Sequence, residues 1–108
     1  MAYRVEIAAP AAADIDEAVA YIAEDSRSAA LEWLDGIVAL ISSLEEMPSR
    51  FPVIPEALEI GRPYRSAAYY SHRVVYRVDE ADDAVWVVRV YHGARRPLSS
   101  GDVASGEF

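Results

Sequence analysis

A chain of 108 residues with a net charge of −8 and 53% hydrophobic residues holds one cored domain, because two halves would each fall near the size at which folding needs disulfides, metal or a partner. This composition excludes disorder over most of the chain, and no apolar run approaches the roughly 20 residues that span a bilayer. With no cysteine and two histidines, a disulfide framework, a thiolate nucleophile and Cys-ligated zinc are excluded, and neither a metal nor another cofactor is expected.

The opening MAYRVEIAAP lacks the basic segment, apolar stretch and cleavage site of a secretory signal, so a cytoplasmic location without membrane association is expected. Charge is unevenly spread. Residues 1–60 carry 12 acids and 3 arginines, whereas residues 61–108 carry 6 acids and 7 arginines. An anion would therefore bind the second half. All ten basic residues are arginine, so every cation is a planar, permanently charged fork suited to carboxylate or phosphate.

Tyr3, Val5 and Ile7 alternate with Arg4 and Glu6, the period of a strand with one buried face. Pro10 then suits a first helical turn. Ile15, Ala18, Val19 and Ile22 predict an amphipathic helix over 10–24, with Asp14, Asp16 and Glu17 as a solvated acidic side that favours the helix dipole. A second helix starts near Ser26 to Ser28, with Leu31, Leu34, Ile37, Val38, Ile41 and Leu44 as its apolar stripe. Gly36 costs that helix about 1 kcal/mol relative to alanine, which implies close packing there. The short connection makes the two helices an antiparallel hairpin.

Pro48, Pro52, Pro55 and Pro63 prevent regular structure over 48–63. Three strands follow, Tyr64 to Tyr70, His72 to Val78 and Ala84 to His92, the last two joined by a polar turn at Glu80 to Asp83. The segment after Pro97, LSSGDVASGEF, has the composition of a flexible end; it sets a single domain at 1–98 and a tail at 99–108. The predicted fold class is α+β: an N-terminal strand, a helical hairpin and three antiparallel strands, giving a four-stranded sheet with the helices on one face.

Parity assigns the faces. Val74, Tyr76 and Val78, with Trp86, Val88 and Val90, are expected to cover the helices, which leaves an open face bearing Arg73, Arg77, Arg89 and Tyr91. Paired residue numbers in the hairpin should sum to 164, setting Arg73 against Tyr91 and Val75 against Arg89, because a sum of 162 would oppose Arg73 to Arg89.

The run Val90-Tyr91-His92-Gly93-Ala94-Arg95-Arg96 carries the most chemistry. It sets an imidazole and two guanidiniums at a strand exit beside a glycine, which suits neutralising phosphate oxygens and moving a proton. On spacing alone it reads equally as a polar sheet end with solvated charges. His72 is a strand-start residue, and a His72/His92 metal pair lacks a third ligand. Trp33 and Trp86 sit in apolar patterns and read as packing.

Several stretches together resemble the RelE/ParE toxin superfamily of bacterial toxin–antitoxin systems, often labelled plasmid stabilisation proteins. They are Ala13-Asp14-Ile15-Asp16-Glu17 leading to Tyr21-Ile22, the helix with Ala30 and Trp33, Met47-Pro48, the strand His72 to Val78, and His92-Gly93-Ala94-Arg95-Arg96. The resemblance covers residues 3–98. It implies a toxin neutralised by a cognate antitoxin, with one of two targets. A RelE-like member would cleave mRNA on the ribosome with Arg65, Arg73 and Arg95. Here Ala67 stands where that branch has a lysine, and the tail has no counterpart of its tyrosine. A ParE-like member would inhibit DNA gyrase. The pattern His-x-x-Arg-Arg and the Asp-Ile-Asp-Glu helix start are closer to that branch, with Arg73, Arg77, Arg89, Tyr91, His92, Arg95 and Arg96 as its binding residues. A homologue that only binds its antitoxin is the remaining alternative.

Overall fold

The structure is a computed structural model and describes residues 2–55 and 61–93. Strand β1 (Arg4–Ile7) leads into helices α1 (Ala9–Ala23) and α2 (Arg27–Ser43), a single 3-10 turn (Pro48–Arg50), and strands β2 (Arg65–Tyr69), β3 (His72–Asp79) and β4 (Ala84–His92). The sheet order is β1-β4-β3-β2, with β1 parallel to β4 and the other neighbours antiparallel. The predicted α+β architecture is the one observed. The tail over 99–108 lies outside the described residues.

Pro10 sits in the first turn of α1, where its missing N–H costs no hydrogen bond. Ser26 caps α2 by accepting the Ala29 N–H at 3.1 Å. At the other end of α2 the Arg50 guanidinium donates to the carbonyls of Glu46 at 2.6 Å and Met47 at 3.2 Å and to the Ser43 hydroxyl at 2.7 Å. A further bond, to the Ser43 carbonyl at 3.3 Å, serves an acceptor of the last helical turn, while the others hold the turn that follows it.

The buried side of α2 differs from the predicted stripe. Ala30, Trp33, Ile37, Ile41 and Leu44 are buried, whereas Leu31 and Val38 remain 55% and 49% exposed. Trp33 decides this rotation, because its ring packs edge-on against Tyr69 at 5.6 Å and His72 at 5.1 Å and buries more apolar area than a leucine could. Gly36 makes the packing possible. A Cβ there would overlap the Tyr69 hydroxyl, which donates to the Trp33 carbonyl at 2.8 Å.

In the half of the β3–β4 hairpin nearer His92, the register is the expected one, with Arg73 opposite Tyr91 and Val75 opposite Arg89. Beyond it the register slips. Tyr76 pairs with Val87, so Val88 is an extra residue on β4, a β-bulge that reverses the alternation. Val85, Val87 and Val90 therefore join the helix-facing core with Val74, Tyr76 and Ala67. Trp86 and Val88, expected on the helix side by parity, lie on the far side instead. There Val88 is buried with Val75, Tyr91, Ile54 and Tyr64. The far face is thus not bare, and the proline-rich crossover is not wholly irregular: Val53 bridges to Arg65, and the Ile54 N–H donates to the Tyr64 carbonyl at 2.9 Å.

Two predictions follow from this packing. Gly36→Ala lowers stability by about 1–3 kcal/mol through overpacking, the reverse of its effect in an unobstructed helix, and trimming Tyr69 in the same background restores part of the loss; a urea titration in which Gly36→Ala is stabilising would refute the contact. The second concerns alkaline pH. Burial raises the phenol of Tyr76, against the opposing pull of Arg65 and Arg50, and burial also raises Tyr69. Above the ordinary value of 10.0 the unfolded chain loses these protons before the folded one. Stability is therefore complete below that pH and falls as pH rises toward the native values. Urea midpoints at about pH 8 and about pH 11 should show this fall, and Tyr76→Phe should reduce it.

Candidate functional site

Arg73, Val75 and Arg77 start from the far side of β3, with Arg73 opposite Tyr91 and Arg77 opposite Trp86. Both arginines are half-buried beside the small apolar cluster of Val75, Val88 and Tyr91. Four residues of strand put their Cα atoms about 13 Å apart, so they border this cluster from its two ends.

Arg89 is held differently. Its Nε donates to Asp14 Oδ2 at 2.8 Å and its Nη2 to Asp14 Oδ1 at 3.0 Å, a bidentate fork-to-carboxylate pair. The guanidinium also lies 4.7 Å from the centre of the Tyr91 ring, within cation–π range. Asp14 Oδ2 in addition accepts the Val90 N–H at 2.9 Å. The origin is topological. β1 pairs with β4 only as far as Val87, and α1 then leads the chain over that edge, where Asp14 occupies an acceptor position a strand would have filled. Asp14 is therefore not the solvated helix charge expected from its pattern; its side chain is 11% exposed and that of Arg89 17%.

Arg65 points elsewhere again. It pairs with Tyr76 on the side of β2 that carries Ala67 and Tyr69 toward the helices. Its Nη1 donates to the carbonyls of Phe51 at 2.7 Å and Ser49 at 3.2 Å, fastening the crossover to the sheet. Arg65 and Arg73 thus leave the sheet from opposite faces.

At the strand exit His92 pairs with His72, their rings 5.1 Å apart, and His72 rests edge-on against Trp33. The Gly93 N–H donates to the Ser71 carbonyl at 2.6 Å. A Cβ at Gly93 would stand 3.2 Å from that same oxygen, so the glycine permits this close crossing. Arg95 and Arg96 lie outside the described residues. Beside the two histidines opens a cavity of about 720 Å³, lined by residues of α1, Trp33, the β2–β3 turn and the end of β4. Among the described residues no three His, Cys, Asp or Glu side chains gather where they could hold a metal ion.

The structure brings Arg73, Arg77 and Tyr91 to one face, ties Arg89 to the adjoining edge, places His92 at the strand exit and separates Arg65 from them. Sequence reasoning missed Asp14 and Arg50 as structural partners. An acid early in α1 has no local mark of pairing with a residue on β4. Arg50, by contrast, follows the helix end closely enough for its capping role to have been inferred.

Asp14→Ala would leave Arg89 and the Val90 N–H without their acceptor and cost about 3 kcal/mol. Denaturation of Asp14→Ala, Arg89→Ala and the double variant should show strong coupling, and hydrogen exchange at Val90 should quicken in both single variants. Additive losses would mean the pair is incidental.

Comparison with known proteins agrees with this architecture. The family described as "ParE toxin of type II toxin-antitoxin system, parDE" matches residues 5–97. No curated protein sequence matches. Among solved structures, a chain of the toxin–antitoxin complex RelBE2 from Mycobacterium tuberculosis is similar, with a TM-score of 0.62 and 23% identity, covering 88% of this chain and 95% of that one.

Proposed function

The chain belongs to the ParE toxin family of type II toxin–antitoxin systems, and on that premise we propose that it arrests growth in the cytoplasm by binding DNA gyrase, and that a cognate antitoxin neutralises it. The observation that carries the choice of target is the divergence of Arg65 and Arg73. A nuclease without a metal must surround one scissile phosphate with fixed charges. Here the two arginines leave opposite faces of the sheet, and Arg65 is committed to the carbonyls of Ser49 and Phe51. The geometry favours a protein that grips over one that cleaves.

The contact residues proposed are His92, Arg95 and Arg96 at the strand exit, with Arg73 second and Arg77, Arg89 and Tyr91 behind it. Planar cationic forks suit carboxylates on an acidic protein surface or DNA phosphates in a gyrase complex. No bond is broken by this chain. A net charge of −8 opposes long-range approach to ribosomal RNA, which also weighs against the ribosome as target.

Expression in a bacterial host tests the proposal. Arg95→Ala and Arg96→Ala should each weaken growth arrest and supercoiling inhibition in parallel, by about tenfold or more for an anchoring arginine, while Arg65→Ala should act through stability. If Arg73→Ala abolishes toxicity, and translation stops in the unaltered strain before any effect on supercoiling, the gyrase reading fails and an mRNA nuclease replaces it.

A further inference from the structure

β1 forms one edge of the sheet, and its backbone groups divide between two directions. The Arg4 N–H donates to the Asp83 carbonyl at 2.8 Å and the Ala8 N–H to the Val87 carbonyl at 2.9 Å. Alternation therefore turns the N–H and C=O groups of Val5 and Ile7 outward, away from β4. Among the described residues no strand lies beyond them. The edge is bounded at its start, where the Tyr3 N–H donates to the Glu45 carbonyl at 2.9 Å. That bond sets the segment leading to Met47 beside the beginning of β1, and Tyr3 and Met47 line one recess of the surface.

The side chains along this edge contribute little within one chain. Tyr3 and Val5 pack against the helix-facing core, so alternation puts Arg4 and Glu6 on the opposite face. Arg4 Nε lies 3.1 Å from Glu6 Oε1, with the two side chains 53% and 41% exposed. An ion pair so exposed adds little to stability. Ile7 and Met47 remain 44% and 75% exposed, one at the end of the strand and one beside its start. Met47 also has φ at 47°, a left-handed conformation uncommon outside glycine, asparagine and aspartate. A strained residue whose apolar side chain is exposed marks a place where a protein makes contact.

We infer that this edge pairs with the same edge of a second copy of the chain, antiparallel, with Val5 on the two-fold axis. Val5 then exchanges both backbone bonds with Val5 of the second copy. Arg4 stands opposite Glu6 of the second copy, and Glu6 opposite its Arg4, in the pairs whose side chains come closest. Together with the pair already present in each strand, they set four charges alternating in sign around the axis. The neighbouring registers that keep the same faces oppose Arg4 to Arg4 or Glu6 to Glu6 and are repelled. The antiparallel order also brings the end of one β1 to the start of the other, so Ile7 meets Tyr3 and Met47 of the second copy on the helix side. With only Arg4 to Glu6 paired, the contact falls in the class below about 1,200 Å² that gives weak, concentration-dependent association.

Charge exchange tests the register. Sedimentation of the purified full chain from about 10 µM to about 1 mM should show a monomer–dimer equilibrium that salt weakens. Arg4→Glu and Glu6→Arg should each lower the association constant at least about tenfold, because each makes all the opposed pairs alike in charge. An equimolar mixture of the two variants should associate at least as tightly as the unaltered chain, since a strand with two acids then meets a strand with two arginines. Arg4→Glu combined with Glu6→Arg in one chain should also restore pairing. An unaltered chain that stays monomeric, single variants that associate as well as it does, or a mixture that fails to associate overturns the inference.

Amide exchange identifies the surface. The Val5 N–H should exchange more slowly as concentration rises, whereas the Glu6 N–H, which faces β4, should not respond. Protection of Val5 already complete at the lowest concentration would mean that this chain covers its own edge. Protection that appears only on adding the product of the adjacent short reading frame would give the edge to the antitoxin. Either result overturns self-pairing and leaves the toxin–antitoxin reading intact. Met47→Asn suits the left-handed backbone and should keep or raise the Tm, yet weaken association about threefold by removing the apolar contact with Ile7. Unchanged association in that variant overturns the arrangement, because Ile7 then lies elsewhere.

Discussion

Val88 is the residue on which the two-sided packing of the sheet turns. β4 lies between β1 and β3, so it must present apolar side chains to the helices along its length while closing the far face over part of it. Strict alternation assigns each side chain by parity and cannot change that assignment midway. One extra residue changes it. Val85 and Val87 face the helices before the bulge and Val90 after it, while Val88 and Tyr91 meet Val75, Ile54 and Tyr64 on the other side. The crossover can settle on the far face at Ile54 because the bulge gives it buried apolar partners, while Arg65, leaving β2 on the helix side, holds the preceding carbonyls of Ser49 and Phe51.

The arginines divide by task under the same constraint. Arg50 closes the end of α2, Arg65 fastens the crossover and Arg89 pairs with Asp14 at the edge where β1 has ended. Each meets fixed oxygen acceptors with a planar fork, a geometry that the single ammonium of a lysine matches less well. An all-arginine composition is therefore explained in part by structure, and the number of basic residues overstates what is available to a target.

Much of the fold was legible because it rests on local periodicity. The strand and helix order followed from alternation and spacing, and avoidance of an Arg73–Arg89 pair chose the correct register near His92. The bulge was not legible, since Val87-Val88 bears neither glycine nor a polar residue to mark it and either valine satisfies either face. The rotation of α2 was hidden for a related reason. Leu31 and Val38 satisfy an apolar stripe as well as Ala30 and Trp33 do, and only the fit of Trp33 against Tyr69 and His72 separates them. Of the candidate site, the residue types at the strand exit could be read directly. The commitment of Arg89 to Asp14 could not, because it depends on where a helix crosses a sheet edge.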